Sequence, residues 1–261
     1  MTSLTGPRLA AAGIDAVALK PSEVDVSRAS ALAVDVVTVD YEGVEHLPDL
    51  EVLDGFADDL EVRLTTPVRA DGFDPLGDDS RLAAMPERVG SILVAGHPAY
   101  LSEAEASRAV APRLREAAAK ATDPWVGTEG VERLAMAVGG TQFELLGPSA
   151  ARDIEALRSA GFDGHIAVYA PTVLTDDEDA ILDAVGEYAA RRKPVRDALP
   201  ADAAPGADAR GRAREVLSQA VRDYALVGDV ETVAARVSQL EAVGADTIVA
   251  YPARGLNPVL S

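Results

Sequence analysis

The sequence contains no cysteine, three lysines (Lys20, Lys120 and Lys193), one asparagine (Asn257) and three histidines. Without cysteine there is no disulfide framework, no thiolate metal site and no cysteine nucleophile. The histidines His46, His97 and His165 are scattered without paired spacing, so no zinc constellation is expected. Aromatic residues make up 4% of the chain, so the core must be aliphatic. No apolar run approaches the roughly 18 residues that span a bilayer, and no basic-then-apolar leader opens the chain. The expectation is a soluble, cytoplasmic protein with no membrane partner.

Acid dominates what is present. Asp and Glu number 43 against 24 Lys and Arg, a formal net charge of −19. Such a surface excludes nucleic acid as a partner, because phosphates demand a basic face. An acidic, lysine-poor composition rich in Ala, Asp and Val resembles the cytosolic proteins of salt-accumulating haloarchaea, in which high salt screens the self-repulsion.

The apolar pattern alternates between short runs and helical spacing. Ile14 to Leu19, Val34 to Val39, Leu60 to Thr65, Ser91 to Ala95, Pro124 to Val126, Phe143 to Leu146, His165 to Tyr169 and Thr247 to Tyr251 read as eight strands. Helices are expected between them: after Ser22, over Leu47 to Phe56, over Ser102 to Ala121, after the pair Gly127 and Gly130, after Ser149, and over 176–192, 212–224 and 230–243. Strands separated by helical crossovers predict a parallel sheet. Eight of them predict a single (β/α)8 TIM barrel over residues 1–261, with a flexible insertion at 193–211 between the seventh and eighth strands. A doubly wound open sheet is the rival, but no glycine-rich dinucleotide fingerprint follows the first strand.

In such a barrel, function sits at the C-terminal strand ends. Lys20 ends the first strand, Asp40 the second, Thr65 and Thr66 the third, with Arg69 just beyond. His97 follows the fourth strand as a candidate proton donor, and Tyr169, Tyr251 and Arg254 close the ring. An acid, two cations and a histidine there suit an anionic substrate or a phosphosugar. Lys20 is alternatively a Schiff-base lysine if desolvated. The turn Gly127, Thr128, Glu129, Gly130 precedes a helix start, where free backbone N–H groups suit a phosphate.

Three segments resemble the luciferase-like monooxygenase superfamily: WVGTEGVERLAMAVGGTQFELL at 125–146, AGFDGHIAVYAPTVLTDDEDAILDAVGEYAARR at 160–192 and YALVGDVETVAARVSQLEAVGADTIVAYP at 224–252. The resemblance implies a flavin- or deazaflavin-dependent barrel, using FMN or coenzyme F420, that transfers hydride to or from a small-molecule substrate. It implies a cofactor phosphate on Gly127, Thr128 and Gly130, the residues His97, Arg69, Asp40 and Lys20 around the reacting ring, and often a homodimer. Two other readings remain open: a non-catalytic paralogue serving as a binding or assembly subunit, and a cofactor-free isomerase or lyase built on Lys20 and Asp40.

Overall fold

The computed structural model describes residues 7–57, 60–68, 83–95, 103, 107–128 and 136–260. Nine strands run through it: β1 (Ala16–Leu19), β2 (Val36–Val39), β3 (Glu61–Val68), β4 (Val89–Ala95), β5 (Trp125–Thr128), β6 (Thr141–Leu145), β7 (Ile166–Leu174), β8 (Leu226–Gly228) and β9 (Thr247–Pro252). Each of β1 to β7 pairs in parallel with the next, and β9 pairs with both β7 and β1. The circuit therefore closes over eight strands, the expected (β/α)8 barrel. β8 stands outside it, bonded in parallel to the far end of β7 at Thr172–Leu174. That strand is absent from the sequence reading because three residues, LVG, carry no periodicity of their own.

Closure forces each strand to bury both faces, which is why they read as continuous apolar runs. Alternate residues divide between two cores. Val37, Val39, Val62, Leu64, Val168, Ala170, Ile248 and Ala250 face outward and pack on helical residues such as Leu9, Ile154, Val233, Val237 and Leu240. Ala16, Ala18, Val36, Ile92, Trp125, Phe143, Ala167, Tyr169 and Val249 fill the barrel interior.

Several boundaries move. β3 runs on to Val68, so Thr65 and Thr66 lie within the strand, and Thr66 turns its hydroxyl back to the Leu64 carbonyl at 3.2 Å. β5 continues through Gly127 and Thr128, which pair with Val94 and Ala95, so Gly127 is a strand residue and not the start of a turn; Glu129 and Gly130 lie outside the described residues. The segment after Ser22 forms a 3-10 helix at Val26–Ala31. Of the helix expected over Ser102 to Ala121, Val110–Lys120 is helical, and Ser102 lies outside the described residues.

Ser149 stands at the N-cap of the helix Ala150–Ser159 as its position predicts, but serine side chains do little of the capping. Ser22 gives its backbone N–H to Glu42, and Ser149 makes no side-chain cap bond. Aspartate does this work instead: Asp25, Asp49, Asp177 and Asp229 each accept backbone N–H groups at helix starts. A carboxylate both accepts the orphan N–H and answers the helix dipole, so an acid-rich chain has better caps than serine available. Hydrogen bonds from Ser27 and Thr232 accordingly hold the carboxyls of Asp25 and Asp229 below the usual carboxylate range.

A second apolar layer lies outside β7. The helices Glu178–Ala190 and Arg212–Tyr224 pack through Ile181, Leu182, Val185, Leu217 and Val221. Within the stretch 193–211, Lys193–Ala198 is helical, and Val195 and Ala209 are buried in this layer. The same stretch crosses Gly186 so closely that a Cβ there would lie 1.9 Å from the Pro205 carbonyl oxygen. Gly186→Ala must push two backbones apart, and we expect a loss of about 3 kcal/mol in urea unfolding. A variant as stable as the parent would show that this crossing is not held closely in solution.

Candidate active site

The mouth of the barrel is built by residues that follow β1 and β2 and by tyrosines carried within β7 and β9. Asp40 follows β2, and its backbone N–H donates to the Leu19 carbonyl at 2.8 Å, which fixes where its side chain leaves the sheet. Inward parity on β7 puts Tyr169 beside it, and the Tyr169 hydroxyl donates to Asp40 Oδ2 at 2.9 Å. Burial pushes the Asp40 carboxyl up to about 6, opposed by the Tyr169 hydrogen bond and by Lys20, and assisted by Glu42 and Glu23. The Tyr169 hydroxyl is likewise held well above its ordinary range, first by burial and then by the Asp40 charge. Asp40 and Tyr169 are thus a proton-bearing pair whose acid is poised near neutrality.

Lys20 follows β1 into the same space. Its Nζ lies 3.9 Å from the Tyr251 ring centroid and 3.6 Å from Glu23 Oε1. The Tyr251 hydroxyl donates to Glu23 Oε2, and burial followed by that bond raises its pKa. Tyr251 stacks on Tyr169 with centroids 6.4 Å apart and planes 9° apart. The aromatic line continues inward through Phe143, 5.9 Å from Tyr169, to Trp125, 5.9 Å from Phe143.

The opposite end of the barrel is closed. The Arg63 guanidinium lies 4.6 Å over Trp125 and donates to the Asp123 carbonyl at 2.8 Å. His165 Nε2 shares a hydrogen bond of 2.8 Å with Thr247 Oγ1 at that end, which agrees with a structural histidine there.

Among the sequence candidates, Lys20, Asp40, Tyr169 and Tyr251 are brought together. Arg254 is exposed beyond β9. Gly127 lies in β5 on the inward face, where a Cβ would meet Phe143 Cδ1 at 3.3 Å, so its missing side chain makes room for that ring. Thr128 is the last residue of β5. Arg69, His97 and Gly130 lie outside the described residues. Glu23 and Glu42 went unread in the sequence; the signal was their position four and three residues past a strand end, which is weak without the fold. Among the described residues no group of His, Asp or Glu is arranged to hold a metal ion, and no helix is long and apolar enough to cross a membrane.

A family model covering residues 9–259 matches the chain, a family of unknown function designated DUF7388. The chain belongs to that family. No curated protein sequence matches it. Among solved structures, an F420-dependent secondary alcohol dehydrogenase, in complex with an F420-acetone adduct, superposes with a TM-score of 0.60 at 13% identity, covering 93% of this chain and 94% of the other. The monooxygenase RslO1 from Streptomyces bottropensis covers 91% of each chain at 17% identity and a TM-score of 0.46. At such identities the likeness is one of fold. The fold shared with the dehydrogenase is the closed eight-stranded (β/α)8 barrel.

Proposed function

We propose that this member of the DUF7388 family is an oxidoreductase of the luciferase-like type, using a deazaflavin or flavin and acting on a small alcohol or carbonyl compound. The observation that carries the reading is the Asp40 to Tyr169 pair, a half-buried acid and a buried phenol at the mouth of the barrel. The fold likeness to an F420-dependent secondary alcohol dehydrogenase supports it.

The described residues fit the ring portion of such a cofactor. Tyr251 and Tyr169 offer aromatic surface, and Asp40, Tyr169 and Lys20 offer hydrogen bonds to a flat heterocycle with polar edges. The phosphate tail is proposed to lie along Gly127, Thr128 and Gly130, and His97 and Arg69 are proposed to complete the mouth. When bound, the cofactor supplies the hydride chemistry. The chain supplies the proton. Asp40 Oδ2, kept partly protonated near neutral pH, gives or takes it at the substrate oxygen, and the Tyr169 hydroxyl holds the carboxyl in place. The closed far end of the barrel keeps bulk water from entering behind the substrate.

The test is a fluorescence titration of the purified protein with F420, FMN and riboflavin in multimolar KCl, the medium its charge is suited to. Saturable binding is expected, with FMN tighter than riboflavin because riboflavin lacks the phosphate. Secondary alcohols and ketones are then screened for turnover. No binding of any of the three would sink the oxidoreductase reading. Borohydride trapping of a carbonyl compound on Lys20 would then direct the work to a cofactor-free lyase.

A further inference from the structure

Among the buried threonines of the barrel strands, Thr38 differs from Thr66 and Thr172 in what its hydroxyl meets. Thr66 donates to the Leu64 carbonyl at 3.2 Å, and Thr172 to the Ala170 carbonyl at 3.0 Å, each two residues back along its own strand. Thr38 is completely buried, yet its Oγ1 meets no protein partner. A hydroxyl taken out of water and left unpaired is costly, so an occupant with hydrogen-bonding capacity is called for.

Parity says where it lies. Val37 and Val39 belong to the outer core and Val36 to the interior, so Thr38 and Asp40 both face the inside of the barrel. The strand neighbours of Thr38 are Ala18 on β1 and Arg63 on β3, and the Arg63 guanidinium is committed to Asp123 and Trp125. Ala16, Ala18 and Ala167 supply only methyl groups to this part of the interior. Two residues on one face of a strand are about 6.6 Å apart, and two hydrogen bonds through one water span about 5.6 Å. One water therefore bridges the gap once the side chains lean together.

We infer that the barrel interior holds a buried water between Thr38 Oγ1 and the Asp40 oxygen not used by Tyr169, and that Thr38 is a positioning residue for Asp40. The water donates to the carboxylate and accepts from the threonine, which favours the charged form of Asp40. The groups acting on Asp40 from the elements around it are Lys20 and Glu23 after β1, Glu42 after β2 and Tyr169 on β7. Thr38→Val alters none of these charges, so its effect on Asp40 reports the hydroxyl and what that hydroxyl holds. The functional importance of the water rests on the proposed role of Asp40; its existence does not.

The experiment uses cofactor-free protein, so its failure is distinct from failure of the oxidoreductase reading. The Asp40 carboxyl is followed by carbon NMR across pH, with Asp40→Asn identifying the signal, in the parent, Thr38→Ser and Thr38→Val. The midpoint is expected to stay in place for Thr38→Ser and to rise by about one pH unit for Thr38→Val, the scale of one hydrogen bond to a charged acceptor. An unmoved midpoint in Thr38→Val overturns the inference. Should the valine variant not fold, cross-relaxation between the Thr38 methyl group and a slowly exchanging water in the parent protein decides the matter. Its presence supports the bridge, and its absence removes it.

Discussion

Replacing Asp40 with asparagine is expected to make the protein more stable above neutral pH while removing its turnover. The carboxyl titrates at an ordinary 3.8 in the unfolded chain and at about 6 in the folded one. Because burial raises the folded value, the unfolded chain ionises more readily. The associated stability is fully present below pH 3.8 and is lost as pH rises through 6. The difference corresponds to about 3 kcal/mol against the fold at pH 8. Asparagine keeps the shape and cannot ionise, so the variant escapes that cost, less whatever the altered bond to Tyr169 contributes. Urea unfolding midpoints of parent and variant should lie close together near pH 4 and diverge towards pH 8, with the variant the more stable. Parallel curves would mean that Asp40 is well solvated. Turnover, where the proposed activity is measured, should fall by about 10²- to 10⁴-fold, the usual worth of a positioned acid or base. A site that gains stability when disarmed is under strain for its function.

The second large effect lies at the opposite end of the barrel. Arg158, on the helix Ala150–Ser159, donates to the Gly244 carbonyl at 2.7 Å and 3.0 Å, to the Phe162 carbonyl at 3.0 Å and to the Gly164 carbonyl at 2.6 Å. It also pairs at 2.6 Å with Asp246 Oδ2, which itself accepts the Ile166 N–H at 2.8 Å. One guanidinium thus ties the loop entering β7 to the loop entering β9, and those two strands are neighbours in the closed barrel. Gly244 is glycine for this reason: at its φ of +110° a Cβ would meet Arg158 Cγ at 2.7 Å. Arg158→Ala leaves three carbonyls and a carboxylate without their donor, and we expect a loss of about 3 kcal/mol, read from the urea midpoint. Arg158→Lys should recover little, because a single ammonium cannot reach carbonyls on both loops. Substantial rescue by lysine would show that charge, and not the fork of donors, is what matters.

Much of this architecture was legible in the residues. Val34 to Val39 and Ser91 to Ala95 could only be strands buried on both faces, and the helices at 212–224 and 230–243 followed from their apolar spacing almost to the residue. The mouth was legible in part. Lys20 and Asp40 were identified because a polar residue directly after a buried strand has one place to go, the C-terminal rim. Their partners were not. Asp40 and Tyr169 are 129 residues apart and Glu23 and Tyr251 are 228 apart, and no local pattern encodes which strand becomes whose neighbour. The misread caps have a similar origin. Serine and aspartate both suit a helix start, and the choice between Ser22 and Asp25 turned on the rim contact with Glu42.

By itself, the sequence determined a parallel α/β chain with eight core strands, an aliphatic core and a strongly acidic surface, because burial periodicity and charge are local properties that each segment carries with it. Only the tertiary structure decided that β9 closes between β7 and β1 and that β8 stays outside. The same closure set an acid near neutrality against a tyrosine and left one threonine hydroxyl facing the interior without a protein partner. Those outcomes depend on desolvation and on distances between remote strands, and both come into being only when the barrel shuts.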